Sequence, residues 1–144
     1  MKPFNPTQKL LKKEFIKSCL KVQQNQNGRE ALFSVQTSTG NTHDIYLQTI
    51  NLNRVRSIKI PKQKLGKPVD NLWVALVLQL KDMEPMMFLI PSKKLATPDN
   101  YIFIDNDMGQ ERFERLSNWE IKVFARGMEK LSEYAFDYQI KHFV

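Results

Sequence analysis

The chain of 144 residues carries a net charge of +7 and one cysteine, and 42% of its residues are hydrophobic. This length and composition predict a single domain over 1–144, and they exclude a disulfide framework or a zinc cluster built from cysteines. Because no apolar run follows the first residues and the longest one, 72–78, is far shorter than the ~20 residues that cross a bilayer, we expect a cytoplasmic protein without a membrane segment, a low-complexity tract or an internal repeat.

The first predicted element is a helix that begins at Asn5 and Pro6. Asparagine caps helices well, and proline suits the first helical position because its missing N–H would have no partner there. Apolar side chains then recur every three or four residues on one face, at Leu11, Phe15, Cys19 and Val22. We expect the helix to fade after Val22 and to stop at Gly28, and we expect the Cys19 thiol to be buried as a small hydrophobe.

Strands are predicted over most of the middle of the chain. They cover 31–37, 44–52, 54–60, 72–78, 86–90 and 101–104, where β-branched and aromatic residues are frequent. The turn residues at 39–41 indicate that the first two strands form an antiparallel hairpin. The run at 72–78 is apolar at every position, which is typical of a central strand covered on both faces. A polar loop is expected at 62–68.

The C-terminal region is predicted to form a helix from about Gly127 onward. Residues 119–124 fit two interpretations, because they alternate as a strand does while Ser117 and Glu120 resemble a helix capping box. Together the elements predict an α/β (α+β) domain. We expect a mixed central β-sheet that includes the antiparallel hairpin and is packed by the N- and C-terminal helices.

Positive charge is concentrated in the first half of the chain. Residues 1–68 hold thirteen Lys and Arg against three Asp and Glu, a net charge of +10, whereas residues 69–144 have a net charge of −3. A basic surface of this kind favours a polyanionic partner, either nucleic acid or an acidic protein. Lysines also protect edge strands from aggregation, and a solvated lysine-rich surface explains the charge equally well. The candidate nucleic-acid contacts are Lys9, Lys13, Lys17, Arg54, Arg56, Lys59, Lys62, Lys64 and Lys67.

Catalytic and metal-binding patterns are scarce. The sequence has no Gly-x-Ser-x-Gly elbow and no clustered glycines for a phosphate loop. The most acidic segment, Asp105–Glu111, has oxygen ligands suited to a divalent cation, but its Asp, Asn and Gly residues are also those that an exposed turn prefers. Its glycine is one position early for an EF-hand loop, and Leu116 stands where the usual glutamate would be. We favour the turn, and we predict no catalytic residue, no metal and no cofactor.

Three segments carry a resemblance to a known superfamily. They are 71–77 (NLWVALV), 84–85 (EP) and 88–93 (FLIPSK), in the order of two paired strands and their turn. With the helix, hairpin and basic strand before them, they resemble small relatives of the PD-(D/E)XK nuclease superfamily over residues 8 to 96. The resemblance implies a restriction-endonuclease-like fold. It also implies a site where an Asp on one strand and an Asp/Glu/Gln-x-Lys on the next hold a divalent ion that polarises the scissile phosphate.

The positions that would carry this chemistry are occupied by other residues. The resemblance places Ala31 where the Asp is expected, Tyr46 at the acidic or amide position and Gln48 at the lysine position. A methyl, a phenol and an amide provide neither the anionic ligands of a hard metal nor the cation that steadies a phosphate. Glu30 and Asp44 are near in sequence, but moving Asp44 into the place of Tyr46 leaves no lysine at the required spacing. The resemblance therefore implies a shared fold that has lost its catalytic site.

Three hypotheses about function are compatible with the sequence. The leading one is a non-catalytic, nuclease-like interaction module that binds a nucleic acid or an acidic protein through the first helix and residues 54–67. The alternative is a divalent-metal-dependent hydrolase or nuclease that uses Asp44 or the segment Asp105–Glu111. The third is a structural subunit of a homo-oligomer, which would bury Trp73, Met86 or Met87 in its interface.

Overall fold

A computed structural model describes residues 6–24, 32–107 and 117–143. The helices and strands are, in chain order, α1 (Pro6–Lys17), β1 (Lys21–Gln24), β2 (Leu32–Gln36), β3 (Thr42–Asn51), β4 (Ser57–Pro61), α2 (Lys62–Leu65), β5 (Leu72–Gln79), β6 (Met86–Pro91), α3 (Ser92–Leu95), β7 (Phe103–Asn106), β8 (Asn118–Lys122), α4 (Met128–Leu131) and α5 (Phe136–Gln139). Short 3-10 turns at Ala125–Gly127, Ser132–Tyr134 and Ile140–Phe143 flank the last two helices. The longest helix in these ranges, α1, has 12 residues, and none of them is long and apolar enough to span a bilayer.

The strands form two sheets rather than one. The larger sheet has the order β1-β2-β3-β5-β6, with β3 and β5 parallel and the other neighbours antiparallel. The smaller sheet has the order β4-β8-β7 and is antiparallel. The predicted α+β class, mixed sheet and antiparallel β2–β3 hairpin are therefore confirmed, whereas β4 and β7 belong to a second sheet that the sequence did not indicate.

The two faces of the larger sheet are covered by different layers. One face packs against the smaller sheet, through Tyr46, Ile50, Leu76 and Ile90 on the larger sheet and Ile60, Phe103, Trp119 and Ile121 on the smaller one. The other face packs against α1 and the C-terminal segment, through Phe33, Val35, Ile45, Trp73 and Val77 on the sheet and Leu11, Phe15, Phe136 and Phe143 on the covering elements. The molecule thus has three layers, with the larger sheet in the middle.

Strand β5 occupies the centre of the middle layer, as its sequence predicted. It pairs with β3 on one side and β6 on the other, and its residues from Leu72 to Leu78 are all buried. An uninterrupted apolar run is required there because successive side chains point alternately into the two cores. The sequence pattern and the position in the sheet agree fully for this element.

The first helix is much shorter than the predicted span to Gly28. It ends at Lys17, because Cys19 adopts a left-handed backbone conformation with a φ of 65° that terminates the helical turn. The following residues form the edge strand β1, in which Val22 pairs with Val35 rather than extending the helical face. The Cys19 side chain is exposed, so the prediction that its thiol is buried is wrong. The predicted cap Asn5 and stop Gly28 lie outside the described residues.

The segment expected to be a polar loop begins with the one-turn helix α2, and that turn is repeated in α3. Residues 60–68 (IPKQKLGKP) and 90–98 (IPSKKLATP) are identical at five of nine positions, which is a short local similarity between the ends of two strands. In both copies a proline ends a strand and starts the helix with nearly the same backbone angles, φ −56° and ψ 130° at Pro61 and φ −58° and ψ 131° at Pro91. The shared leucine, Leu65 or Leu95, is buried in both.

The C-terminal region resolves the ambiguity at 119–124 in favour of a strand. Strand β8 is the middle strand of the smaller sheet, so Ser117 and Glu120 do not cap a helix. The long helix expected beyond Gly127 is broken instead, because Ala135 is extended, with a ψ of 139°, and forms a bridge to Phe88 of β6. This bridge covers part of the outer edge of the larger sheet and positions Phe136 over the helix-side core.

Candidate binding surface

Within the residues that the structure describes, the basic segment 54–67 lies along an open edge of the smaller sheet. It begins in the turn before β4, continues along β4, which is an edge strand, and ends after α2. Five of its six cations are exposed to solvent: Arg54, Arg56, Lys59, Lys64 and Lys67. The segment therefore presents a basic strip, which we define by these five residues, on one border of the molecule.

The sixth cation of the segment, Lys62, is already paired within the chain. Its Nζ lies 2.6 Å from Oδ1 of Asp105 and 4.1 Å from the centre of the Trp119 ring. The Lys62 and Asp105 side chains are 24% and 32% exposed, so water screens the pair only in part. Two predicted site residues thus neutralise each other, because Lys62 was a candidate nucleic-acid contact and Asp105 a candidate metal ligand.

The lysines of the first helix are placed on the other side of the molecule. Lys9, Lys13 and Lys17 are exposed on α1, which covers the face of the larger sheet opposite to the smaller sheet. Lys17 also lies 3.5 Å from Glu14 on the same helix. The α1 lysines and the basic strip are therefore separated by the middle layer, and one flat ligand does not contact both.

The positions expected to be vacant in a nuclease site lie on the face of β3 that points to the smaller sheet. Tyr46 is buried in that core, and Gln48 follows two residues later on the same face, partly buried. Ala31, the third such position, lies outside the described residues, as does Glu30. A buried phenol next to a partly buried amide forms hydrogen bonds but supplies no negative charge at neutral pH.

Asp44, the carboxylate proposed for a hydrolase, has a structural partner. Its Oδ1 accepts a hydrogen bond of 2.9 Å from Oγ of Ser34, which is its register partner on the neighbouring strand β2. Ser34 was not among the residues predicted for a site, although the alternation of β2 and β3 and the turn at 39–41 contained the signal needed to pair it with Asp44. The bond joins the two strands of the hairpin.

Acidic, histidine and cysteine side chains are dispersed in the part of the chain that the structure describes. No group of three or more of them comes close enough to hold a metal ion within those residues. Of the acidic segment, residues 105–107 are described and the remainder, 108–111, lies outside. Strand β7 includes Asp105 and Asn106, so the expectation of a turn is wrong for these two residues.

A cluster of aromatic rings around His43 is a feature that the sequence did not reveal. Nε1 of Trp73 donates a hydrogen bond of 3.1 Å to Nδ1 of His43, and the Phe143 ring lies 4.4 Å from the imidazole and 4.6 Å from the Trp73 indole, between ring centres. Burial lowers the pKa of His43 below its usual value, although the negative charge of Asp44 opposes this change. Because Nδ1 accepts a hydrogen bond, the imidazole is neutral in this arrangement.

Trp73 is therefore unavailable to an oligomer interface. Only 7% of its surface is exposed, and its indole is packed inside the helix-side core of the same chain. The other two side chains proposed for such an interface, Met86 and Met87, are half-buried on β6.

Comparison with known proteins gives no family for this chain. No family model, no curated protein and no solved structure matches it.

Proposed function

We propose that this chain is a non-catalytic interaction module that binds a polyanion through the basic strip. The polyanion is the phosphate backbone of a nucleic acid or a run of carboxylates on an acidic protein. A nuclease-like fold that has lost its catalytic residues is part of the same proposal, because the resemblance gives Ala31, Tyr46 and Gln48 at the positions where the superfamily carries its metal ligands and lysine.

The observation that carries the proposal is the exposure of five cations in one segment, which runs from the turn before the edge strand β4 to the residues after α2. Counterions condensed on a polyanion are released when cations replace them, so a strip of exposed arginines and lysines binds strongly at low salt. Lys62, the one cation of the segment that the Asp105 carboxylate neutralises, is also the one that is drawn toward the core. The remaining charges are directed to solvent, where a ligand can reach them.

The composition of the strip favours contacts to a backbone over contacts to bases. The strip consists of arginines and lysines, and the segment 54–67 that contains it has no aromatic residue on which a base could stack. Contacts to phosphates position a protein without reading sequence. We therefore expect binding to nucleic acid to be independent of base sequence.

The alternative of a divalent-metal-dependent hydrolase has weaker support. Asp105 is held by Lys62, and the Asp44 carboxylate accepts a hydrogen bond from Ser34. A metal bound at either carboxylate would have to replace these interactions before it could activate water.

The proposal is tested by titrating the protein against fluorescent duplex DNA, single-stranded DNA and poly-glutamate while the salt concentration is raised. With five phosphate contacts, affinity for duplex DNA should fall by about 100- to 1,000-fold between about 50 and 200 mM salt. Anisotropy of the labelled ligand measures the dissociation constant at each salt concentration.

A pair of charge-reversal variants provides a matched control. Arg54→Glu/Arg56→Glu/Lys59→Glu and Lys9→Glu/Lys13→Glu/Lys17→Glu remove the same charge from opposite sides of the middle layer. We expect the first variant to lose binding and the second to retain most of it, because only the first removes contacts rather than net charge alone. Equal losses in both variants, or no binding of any polyanion by the native protein at low salt, would contradict the proposal.

A further inference from the structure

The backbone of β4 has hydrogen-bonding groups directed away from its sheet. N of Lys62 donates to O of Ser117 over 3.1 Å, and N of Val123 donates to O of Arg56 over 2.7 Å. These bonds show that the even-numbered residues of β4 direct their backbone N–H and C=O groups to β8. Since alternate residues of an antiparallel strand point their N–H and C=O groups to opposite sides, those of Ser57 and Lys59 point to the open edge.

Apolar surface lies beside these groups. Ile58 is only partly buried although it faces the core between the sheets, and Leu52 packs there in the same incomplete way. Val55, in the turn that leads into β4, is 50% exposed. An additional strand placed next to β4 would cover these side chains with its inward-facing residues.

The charge along the edge determines what kind of strand fits. Lys59 is exposed on β4 itself, and the exposed Arg54 and Arg56 precede it. A second copy of β4 would bring these like charges together, which disfavours pairing between two copies of this chain. A strand with acidic residues on its outward face would complement them.

We propose that an extended acidic segment of a partner protein, with alternating acidic and apolar residues, adds to β4 as a fourth strand of the smaller sheet. This inference rests on the proposed function, since it names the partner of the basic strip. Main-chain hydrogen bonds to Ser57 and Lys59 provide the pairing, and the basic strip selects for acidic side chains.

A peptide strand suits this edge better than a nucleic acid does. The edge presents carbonyl acceptors as well as N–H donors, and a peptide backbone carries both complementary groups in alternation. A phosphodiester backbone accepts hydrogen bonds but donates none. Nucleic acid would leave the carbonyls of Ser57 and Lys59 to water, whereas a peptide strand pairs them.

The first test uses three synthetic peptides of equal charge. One is a fluorescein-labelled octapeptide of alternating glutamate and valine, and the other two carry N-methyl groups on all the glutamates or on all the valines. In a paired strand only one of these residue types directs its N–H groups to β4, so one of the methylated peptides cannot donate to the β4 carbonyls. We expect the native protein to bind the unmodified peptide at least about 10-fold more tightly than this methylated peptide. Hydrogen exchange at the Ser57 and Lys59 amides should slow with the unmodified peptide and not with this methylated one.

The second test removes one donor from the protein without changing its charge. Ser57→Pro deletes an N–H that points to the open edge and leaves the β4–β8 hydrogen bonds in place, and Ser57→Ala is its matched control. We expect Ser57→Pro to weaken peptide binding by about 3- to 10-fold and Ser57→Ala to leave it unchanged. Neither variant should alter the affinity for duplex DNA, which depends on the cations alone.

The outcomes separate this inference from the proposed function. Binding of polyanions that is lost on charge reversal but is insensitive to N-methylation of the peptide would overturn strand addition and leave the proposed function standing. Absence of binding to every polyanion at low salt would overturn both. The peptide comparison uses the native protein, so it tests strand addition to β4 even if Ser57→Pro does not fold.

Discussion

At the scale of single residues, His43 links the pH of the solution to the closure of the helix-side core. Its Nδ1 accepts the indole N–H of Trp73, and its ring contacts that of Phe143. A protonated imidazole cannot accept this bond and would bring a positive charge into a partly buried aromatic cluster. Protonation therefore opposes the packing of the last residues of the chain against the middle layer.

The stability of the fold should decrease as the pH falls through the range in which His43 becomes protonated. Burial lowers the pKa of His43 in the folded protein, whereas in the unfolded chain this histidine has its usual pKa of about 6.5. Below about pH 6.5 the unfolded chain therefore binds more protons than the folded protein does. The contribution of neutral His43 to the stability of the fold is fully present above that pH and is lost as the pH falls through the lowered pKa of the folded state. Urea denaturation at a series of pH values between about 7.5 and 5.5 measures this loss, in a range where few carboxylates titrate.

Two glutamine variants identify the residue responsible for this pH dependence. His43→Gln keeps a side-chain acceptor for Trp73 but cannot be protonated, so its stability should be nearly constant over the same range. His142→Gln replaces an exposed histidine and should retain the pH dependence of the native protein. A pH dependence that survives in His43→Gln would show that another group is responsible.

Cys19 shows why some residue positions could not be predicted from the sequence. Its spacing from Leu11 and Phe15 is helical, and the apolar pattern continues to Val22. The structure ends the helix at Lys17 because Cys19 takes a positive φ, which a sequence motif reveals only when glycine or asparagine occupies the position. The polar residues that follow are suited to an exposed edge strand as much as to a fading helix.

At the scale of elements, the repeated strand–proline–helix unit is the main local feature of the fold. Each copy ends a strand with Pro61 or Pro91 and inserts a leucine into the core between the two sheets. Ser92 at the start of α3 also donates to O of Val69 and accepts from N of Val69, in the segment that follows α2. The two copies are therefore connected to each other as well as to the same core.

Replacing the repeated leucine should be equally costly in both copies. Leu65 and Leu95 are each 1% exposed, so Leu65→Ala and Leu95→Ala should each lower the free energy of unfolding by about 2–5 kcal/mol through lost burial and the cavity that remains. The neighbouring Lys64 and Lys94 are exposed, and their alanine variants should change it by less than about 0.5 kcal/mol. Chemical denaturation measures the free energy of unfolding of each variant. If only one of the two leucine variants lost much of this free energy, the two copies would not be structurally equivalent.

Elements with a clear pattern of apolar residues were predicted correctly. Where the pattern was weak, tertiary contacts determine whether the segment forms a helix or a strand. The fully apolar β5 and the hairpin of β2 and β3 belong to the first group. Residues 119–124 belong to the second, because β8 is a strand only through its pairing with β4 and β7. The expected C-terminal helix is interrupted at Ala135 by a bridge to Phe88, a contact between distant parts of the chain that no local pattern indicates.

At the scale of the whole molecule, the chain ends by covering the face of the larger sheet that α1 leaves open. The Phe136 ring lies 5.1 Å from the Phe15 ring, and the Phe143 ring lies 5.9 Å from it, between ring centres. The first helix and the last residues thus form one layer, although they are at opposite ends of the sequence. The stability of each therefore depends on the other.

Phe136→Ala should destabilise the whole fold rather than the C-terminal segment alone. Loss of a buried phenylalanine costs about 3–5 kcal/mol, and Phe136 contacts a core that α1 shares. Tyr138→Ala is the control, because Tyr138 is 60% exposed and its removal should cost less than about 0.5 kcal/mol. Thermal unfolding followed by circular dichroism distinguishes a lower midpoint of the main transition from a separate early transition, which would contradict the shared layer.

The layered arrangement also explains why the candidate surface was only partly predictable. Five of the six cations at 54–67 are exposed, as is usual for lysine and arginine, which are rarely buried. The pairing of Lys62 with Asp105 and the separation of the α1 lysines from the basic strip depend on a second sheet, which brings β4 next to residues that follow it much later in the chain. Neither feature leaves a signal at short sequence separation.

The pairing of β4 with β8 has a consequence for the order of events during synthesis. Ser57 pairs with Lys122 and Pro61 with Asn118. About 60 further residues must therefore be synthesised before β4 can pair with β8. Over several seconds of translation, at about 5–20 residues per second, both of its edges are available to other molecules near the ribosome, where RNA is abundant. A positively charged strand with two open edges is then more exposed to unintended partners than the finished protein is.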